Sequence, residues 1–226
     1  MSTFALEYKT ASEINTAMAR VYQHMGLAVL VSMLVSYFVG TTPELVNFFF
    51  TGIMKWVVIF LPLVAIFGIS VALNAGPPKS VALFMLHGFA ALMGLSFATI
   101  FVVYQMGSIV SAFMGAAVLF GVMSFYGYFT KSSLDSLGKF MFVGLIAIII
   151  ASIVNIFLGS SLFAMVISAL AIIIFLGLTA YDTQKIREMV SVNDIDAPVE
   201  VIGALTLYLD FINIFLSLLQ LFGEKK

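Results

Sequence analysis

The sequence predicts an all-α integral membrane protein that crosses the bilayer seven times. Of its 226 residues, 62% are hydrophobic and only 9% are charged. Soluble domains run nearer ~25% charged. Apolar runs close to the ~20 residues a spanning helix needs recur seven times, separated by short polar or Gly/Pro stretches. The last of them, residues 201–222, holds an acid, Asp210, near its middle. An aspartate at that depth costs roughly 2.5–3.5 kcal/mol on insertion scales, so a chain that keeps one has a partner or a task for it.

In chain order, residues 1–20 are polar and of mixed charge and form a tail. The first span is 21–39; it is too long for a signal-peptide core and no small-residue cleavage site ends it. Residues 40–51, with Pro43, Glu44 and Asn47, form a loop. The second span, 52–73, carries Pro62 as a candidate kink. Asn74-Ala75-Gly76-Pro77-Pro78-Lys79 is a strong turn signal. The third span, 80–104, contains His87, and Gln105-Met106-Gly107 turns into the fourth, 108–130. Residues 131–139 are a polar loop. The fifth span is 140–158 and the sixth 162–184, joined by Gly159-Ser160-Ser161. A charged loop, 185–200, leads to the seventh span, and 223–226 form a short tail. Residues 21–222 therefore make one transmembrane domain.

Composition excludes several chemistries. With no cysteine there are no disulfides, thiol nucleophiles or cysteine-held metals. Two histidines, His24 and His87, are too few for a histidine metal cage. No basic patch suggests nucleic acid; the expected surroundings are lipid. With the N-terminus inside, seven cations (Lys9, Arg20, Lys79, Lys131, Lys139, Lys185, Arg187) face the cytoplasm and three (Lys55, Lys225, Lys226) the exterior. That balance favours a cytoplasmic N-terminus and an exterior C-terminus.

Of eleven acids, nine lie in tails, loops or span ends; only Asp182 and Asp210 lie inside apolar sequence. Both spans meet the same loop; with the membrane boundary near Met189 and Glu200, Asp182 lies ~10 Å deep and Asp210 ~15 Å at ~1.5 Å per residue, close enough in depth to face one another. On the seventh span Gly203, Thr206, Asp210, Asn213 and Ser217 share one face, which belongs against helices or water rather than lipid. His87 enters from the same side and could be a neighbour, although a lone histidine commonly just bonds a backbone carbonyl. Two carboxylates in a low dielectric tend to share one proton, and their titrations split. Ionised, they are hard ligands suited to calcium, but only a partial shell; Thr206, Asn213, backbone carbonyls and water would have to complete it. Asn193-Asp194-Ile195-Asp196 lacks the glycine and final glutamate of a calcium loop and reads as solvated loop.

Three stretches carry a resemblance. Gly177-Leu178-Thr179-Ala180-Tyr181-Asp182-Thr183-Gln184-Lys185, Gly203-Ala204-Leu205-Thr206-Leu207-Tyr208-Leu209-Asp210-Phe211-Ile212-Asn213 and Met123-Ser124-Phe125-Tyr126-Gly127-Tyr128 resemble the Bax inhibitor-1 (TMBIM) family. The likeness covers nearly the whole chain, and the short tails point to the bacterial branch and its inner membrane. It implies a seven-helix bundle with the last helix central, wrapped by the other six. It also implies a pH-sensitive calcium leak with Asp182 and Asp210 as the proton-sharing pair, no resident cofactor and no enzymatic activity. One departure stands out: some members latch the closed state with an arginine on the second helix, and residues 55–79 contain none.

Rival classes leave weaker traces. An intramembrane aspartyl protease would need glycine-x-glycine-aspartate where Leu207-Tyr208-Leu209-Asp210 stands. A retinal protein needs a mid-helix lysine on the seventh span, a zinc protease His-Glu-x-x-His, and a rhomboid a glycine-flanked serine with a helical histidine; none is present. The alternative that remains is a non-transporting regulator that binds other membrane proteins, for example a membrane protease.

Overall fold

The computed structural model describes residues 9–192 and 198–226. Among these, nine helices form in order: α1 (Ala11–Gly40), α2 (Pro43–Phe50), α3 (Met54–Asn74), α4 (Lys79–Phe97), α5 (Thr99–Val103), α6 (Met106–Phe129), α7 (Asp135–Leu158), α8 (Ser161–Ser191) and α9 (Val199–Phe222). Seven spans are long and apolar enough to cross a membrane, α4 and α5 together making one of them. The calcium-loop fragment at 193–196 lies outside the described residues.

The spans stand where expected, but several ends differ. α1 begins ten residues before the predicted span because Thr10 and Glu13 form a reciprocal capping box, each side chain bonding the other's backbone N–H. The predicted loop 40–51 contains α2, started by Pro43 at its first turn. The polar loop after the fourth span is shorter than predicted, since α7 starts at Asp135. α8 runs on to Ser191, well past the predicted end at 184. α3 continues through Pro62. Gly76 and Gly159 take left-handed φ angles of 69° and 62°, which closes the turns after α3 and α7.

The chain clusters into two compact units, Met1–Val103 with Ile186–Tyr208, and Tyr104–Lys185 with Leu209–Lys226. In the first, α1 packs on α4 and α5, and α3 on α2 and α4. Small residues permit the close approach: a Cβ on Gly94 would meet the Ser32 backbone, and one on Gly40 the backbone of Ala98. Ser96 adds a hydrogen bond from its hydroxyl to the Val58 carbonyl at 2.6 Å.

The second unit uses the same device. Gly127 of α6 lies against the Ala180 backbone of α8, Gly138 of α7 against the Tyr181 ring, and Gly177 against Met141. Phe113 and Phe120 of α6 meet Phe211 edge-on. α9 is the most buried span, with two-thirds of its apolar window buried against at most one-third in any other. Gly203, Asp210 and Ser217 of the polar stripe are buried, as are Leu207, Phe211 and Phe215 off it, while Thr206 and Asn213 are only half-buried and line up with Ile202, Leu209 and Leu216 on a less covered face.

Candidate functional site

Both predicted carboxyls fall in the second unit. Asp182 sits nine residues before the end of α8 and Asp210 eleven residues after the start of α9. Those offsets correspond to ~14 and ~17 Å along the helix axes. The depths match more closely than the sequence suggested, because α8 is longer than expected.

The two carboxyls are direct neighbours. Asp210 is buried, and Asp182 half-buried. Among the described residues no amide, hydroxyl or backbone donor reaches Asp210 Oδ2, although that atom is sealed from solvent. A hydrogen bond between two carboxyls needs a proton on one of them, since an ionised carboxylate only accepts. A bare second charge there would have no compensating donor among the described residues.

Local packing holds Asp182 in place. Ala180, two residues before it, is completely buried against Gly127, and the Tyr181 ring lies over Gly138. Thr183 donates to Ser124 at 3.4 Å. Gln184 caps the start of α7 twice, accepting from the Leu134 N–H at 2.8 Å and donating to the Ser132 carbonyl at 3.0 Å. The motifs at 123–128 and 177–185 are therefore one packing unit that aims Asp182.

The supporting candidates are engaged within their own helices. Thr206 donates to the Ile202 carbonyl at 3.1 Å, and the Asn213 amide to the Leu209 carbonyl at 2.7 Å, leaving the Asn213 amide oxygen as an acceptor. His87 Nδ1 bonds the Leu83 carbonyl at 2.8 Å, the ordinary role of a lone helical histidine, and belongs to the first unit. The lone cation of α3, Lys55, lies 5.0 Å over the Trp56 ring. Among the described residues no cluster of three or more histidines and acids could cage a metal. At the pair, two carboxyls alone are fewer oxygens than a calcium shell takes.

Sequence reasoning missed a second polar element on α9. Tyr208, wholly buried in the first unit, lies 2.7 Å from Ser32 Oγ, which reaches the Ala90 carbonyl at 2.8 Å. With the serine proton given to that carbonyl, the phenol donates to Ser32. The chain thus joins α9, α1 and α4. Tyr208 stood in a quoted motif, but nothing in the pattern pointed to Ser32.

Seven apolar spans, two of which bring neighbouring carboxyls together, define a polytopic membrane protein. The family model described as "Inhibitor of apoptosis-promoting Bax1" matches residues 14–226. Inner membrane protein YbhL of Escherichia coli is 38% identical over 222 residues, covering 94% of this chain and 93% of its own. Uncharacterised proteins of Borreliella burgdorferi and Rickettsia prowazekii are 37% and 34% identical, over 94% and 92% of this chain and 93% and 89% of theirs. The chain belongs to the Bax inhibitor-1 family.

Proposed function

We propose that this chain is a pH-sensitive calcium leak of the bacterial inner membrane, gated by Asp182 and Asp210, and not an enzyme. The observation that carries this reading is the juxtaposition of the two carboxyls of the sixth and seventh spans, with Asp210 Oδ2 buried and without a donor among the described residues. With one proton the pair is singly charged and bonded to itself. Losing that proton sets two like charges against each other in a low dielectric, which either a cation or separation of the helices relieves. Calcium and the proton therefore compete for the same oxygens. The family match supports the assignment, and the printed name of the E. coli relative supports the inner membrane.

The test is calcium flux into proteoliposomes holding purified protein, wild type against Asp182→Asn and Asp210→Asn. Flux that depends on both aspartates supports the leak. Wild-type protein that carries no calcium at any pH favours instead a non-transporting regulator that binds other membrane proteins.

A further inference from the structure

Within the first unit, a cavity of about 570 Å³ opens where α1, α4, α8 and α9 have their ends. The calcium reading makes no use of it. Among the described residues its charged lining is lopsided: Lys9, Arg20 and Lys79 against one acid, Glu200. Arg20 Nη1 donates to Glu200 Oε1 at 3.3 Å, and Lys79 Nζ donates to Oε2. The carboxylate is the covered partner, its side chain 19% exposed, while Arg20 and Lys79 are 53% and 51% exposed. Glu200 thus sits behind the two cations and orients them. Each spends one donor on it; a guanidinium has about five and an ammonium about three, so the rest point elsewhere.

Other features add to the positive potential. Lys9 is placed by its backbone N–H, which donates to the Ser191 carbonyl at 2.9 Å, and its charge acts on Glu13. α4 and α9 both begin at the cavity, and Pro78 gives α4 no side-chain cap. Helix starts present free N–H groups and partial positive charge. The end of α8, lined here by Met189 and Val190, brings the opposite partial charge, and the Ser191 carbonyl there is already taken by Lys9. The volume is that of a small-ligand site, larger than one inorganic ion requires. Its level, at the ends of spanning helices, is that of lipid head groups.

We propose that this cavity binds a phosphate-bearing anion, with Lys9, Arg20 and Lys79 as its donors and Glu200 as the positioning residue behind them. A lipid phosphodiester and a soluble phosphate share this chemistry, and basic pockets between spans at a membrane face hold anionic head groups.

The experiment uses the purified full-length chain in neutral detergent. Native mass spectrometry reads retention of phosphatidylglycerol against phosphatidylcholine, and a competition arm adds inorganic phosphate or pyrophosphate. The site predicts preferential retention of phosphatidylglycerol, reduced by added salt. Each of Lys9→Gln, Arg20→Gln and Lys79→Gln should weaken it by about tenfold, the size of one lost charge-assisted contact. Lys9→Gln touches neither bond to Glu200, so it reads the site without disturbing the ion pairs. Displacement by millimolar phosphate or pyrophosphate identifies a soluble ligand; retention despite them identifies the lipid. Equal retention of the two lipids with no phosphate effect overturns the proposal. So does undiminished binding in Lys9→Gln and Lys79→Gln.

Discussion

Asp210 Oδ2 is sealed from solvent with no donor group of the described residues to satisfy it, so its neighbour Asp182 decides its state. On the proposed reading, a proton bound to the pair blocks a cation, and a cation expels the proton. Calcium affinity should therefore fall as the medium is acidified, measured by binding and flux between about pH 4 and 8. Asp182→Asn should flatten that dependence, because the remaining carboxyl has no like charge to oppose it. An unchanged profile in this variant would move the sensor elsewhere. Asp210→Leu removes an acid that costs roughly 2.5–3.5 kcal/mol at mid-bilayer. It should insert and accumulate like wild type yet lose calcium flux; wild-type flux would reduce Asp210 to a packing residue. Both aspartates were legible in the sequence because charge inside an apolar run is conspicuous. The bond from His87 to Leu83 was legible only as the ordinary alternative. Ser32 was not legible at all, since its partners Ala90 and Tyr208 are 58 and 176 residues away.

At the scale of the helix, the approach of α6 to α8 sets the aim of Asp182. Gly127 has no room for a Cβ, because the Ala180 backbone occupies that place. Gly127→Ala should therefore destabilise by about 1–3 kcal/mol, the usual cost of overpacking, and impair flux with Asp182 intact. Gly121, on the same helix with open space around it, is the control. Gly121→Ala should be neutral or stabilising by up to ~1 kcal/mol through helix propensity alone. Thermal unfolding in detergent compares the two, and equal effects would remove the contact as the cause. Helix existence was legible here because apolar length marks a span. Helix ends were not. Residues 185–191 read as charged loop, yet Ile186 and Val190 are both buried, one helical turn apart, and continue α8. The exposed residues between them, Arg187, Glu188 and Met189, hid that apolar stripe from a reading tuned to lipid-facing runs. The same bias passed over α2, which is too short to span.

At the scale of the whole chain, the number of crossings fixes which ends share a side, and two main-chain pairings test it without any appeal to hydropathy. The Lys9 N–H bonds the Ser191 carbonyl, so the start of the first span and the end of the sixth lie at one membrane face, as an even number of crossings requires. The Gln105 N–H bonds the Glu224 carbonyl, and Tyr104 pairs with Lys225, so the turn between the third and fourth spans shares a face with the C-terminal tail. Four crossings separate those two points, again an even number. Three crossings separate the N-terminus from that turn, so seven crossings would put the two termini on opposite faces. The sign of the arrangement comes from the cations, seven against three in favour of a cytoplasmic N-terminus. Lys225 and Lys226 pull the other way, but they act only after six spans have inserted, and the first span usually dominates. A fluorescent reporter that matures only in the cytoplasm should therefore light at the N-terminus and stay dark at the C-terminus. A phosphatase active only outside should give the reverse pattern. Reporters that agree at both ends would contradict the seven crossings, whatever becomes of the two pairings. A clean inversion would keep both and overturn only the charge argument.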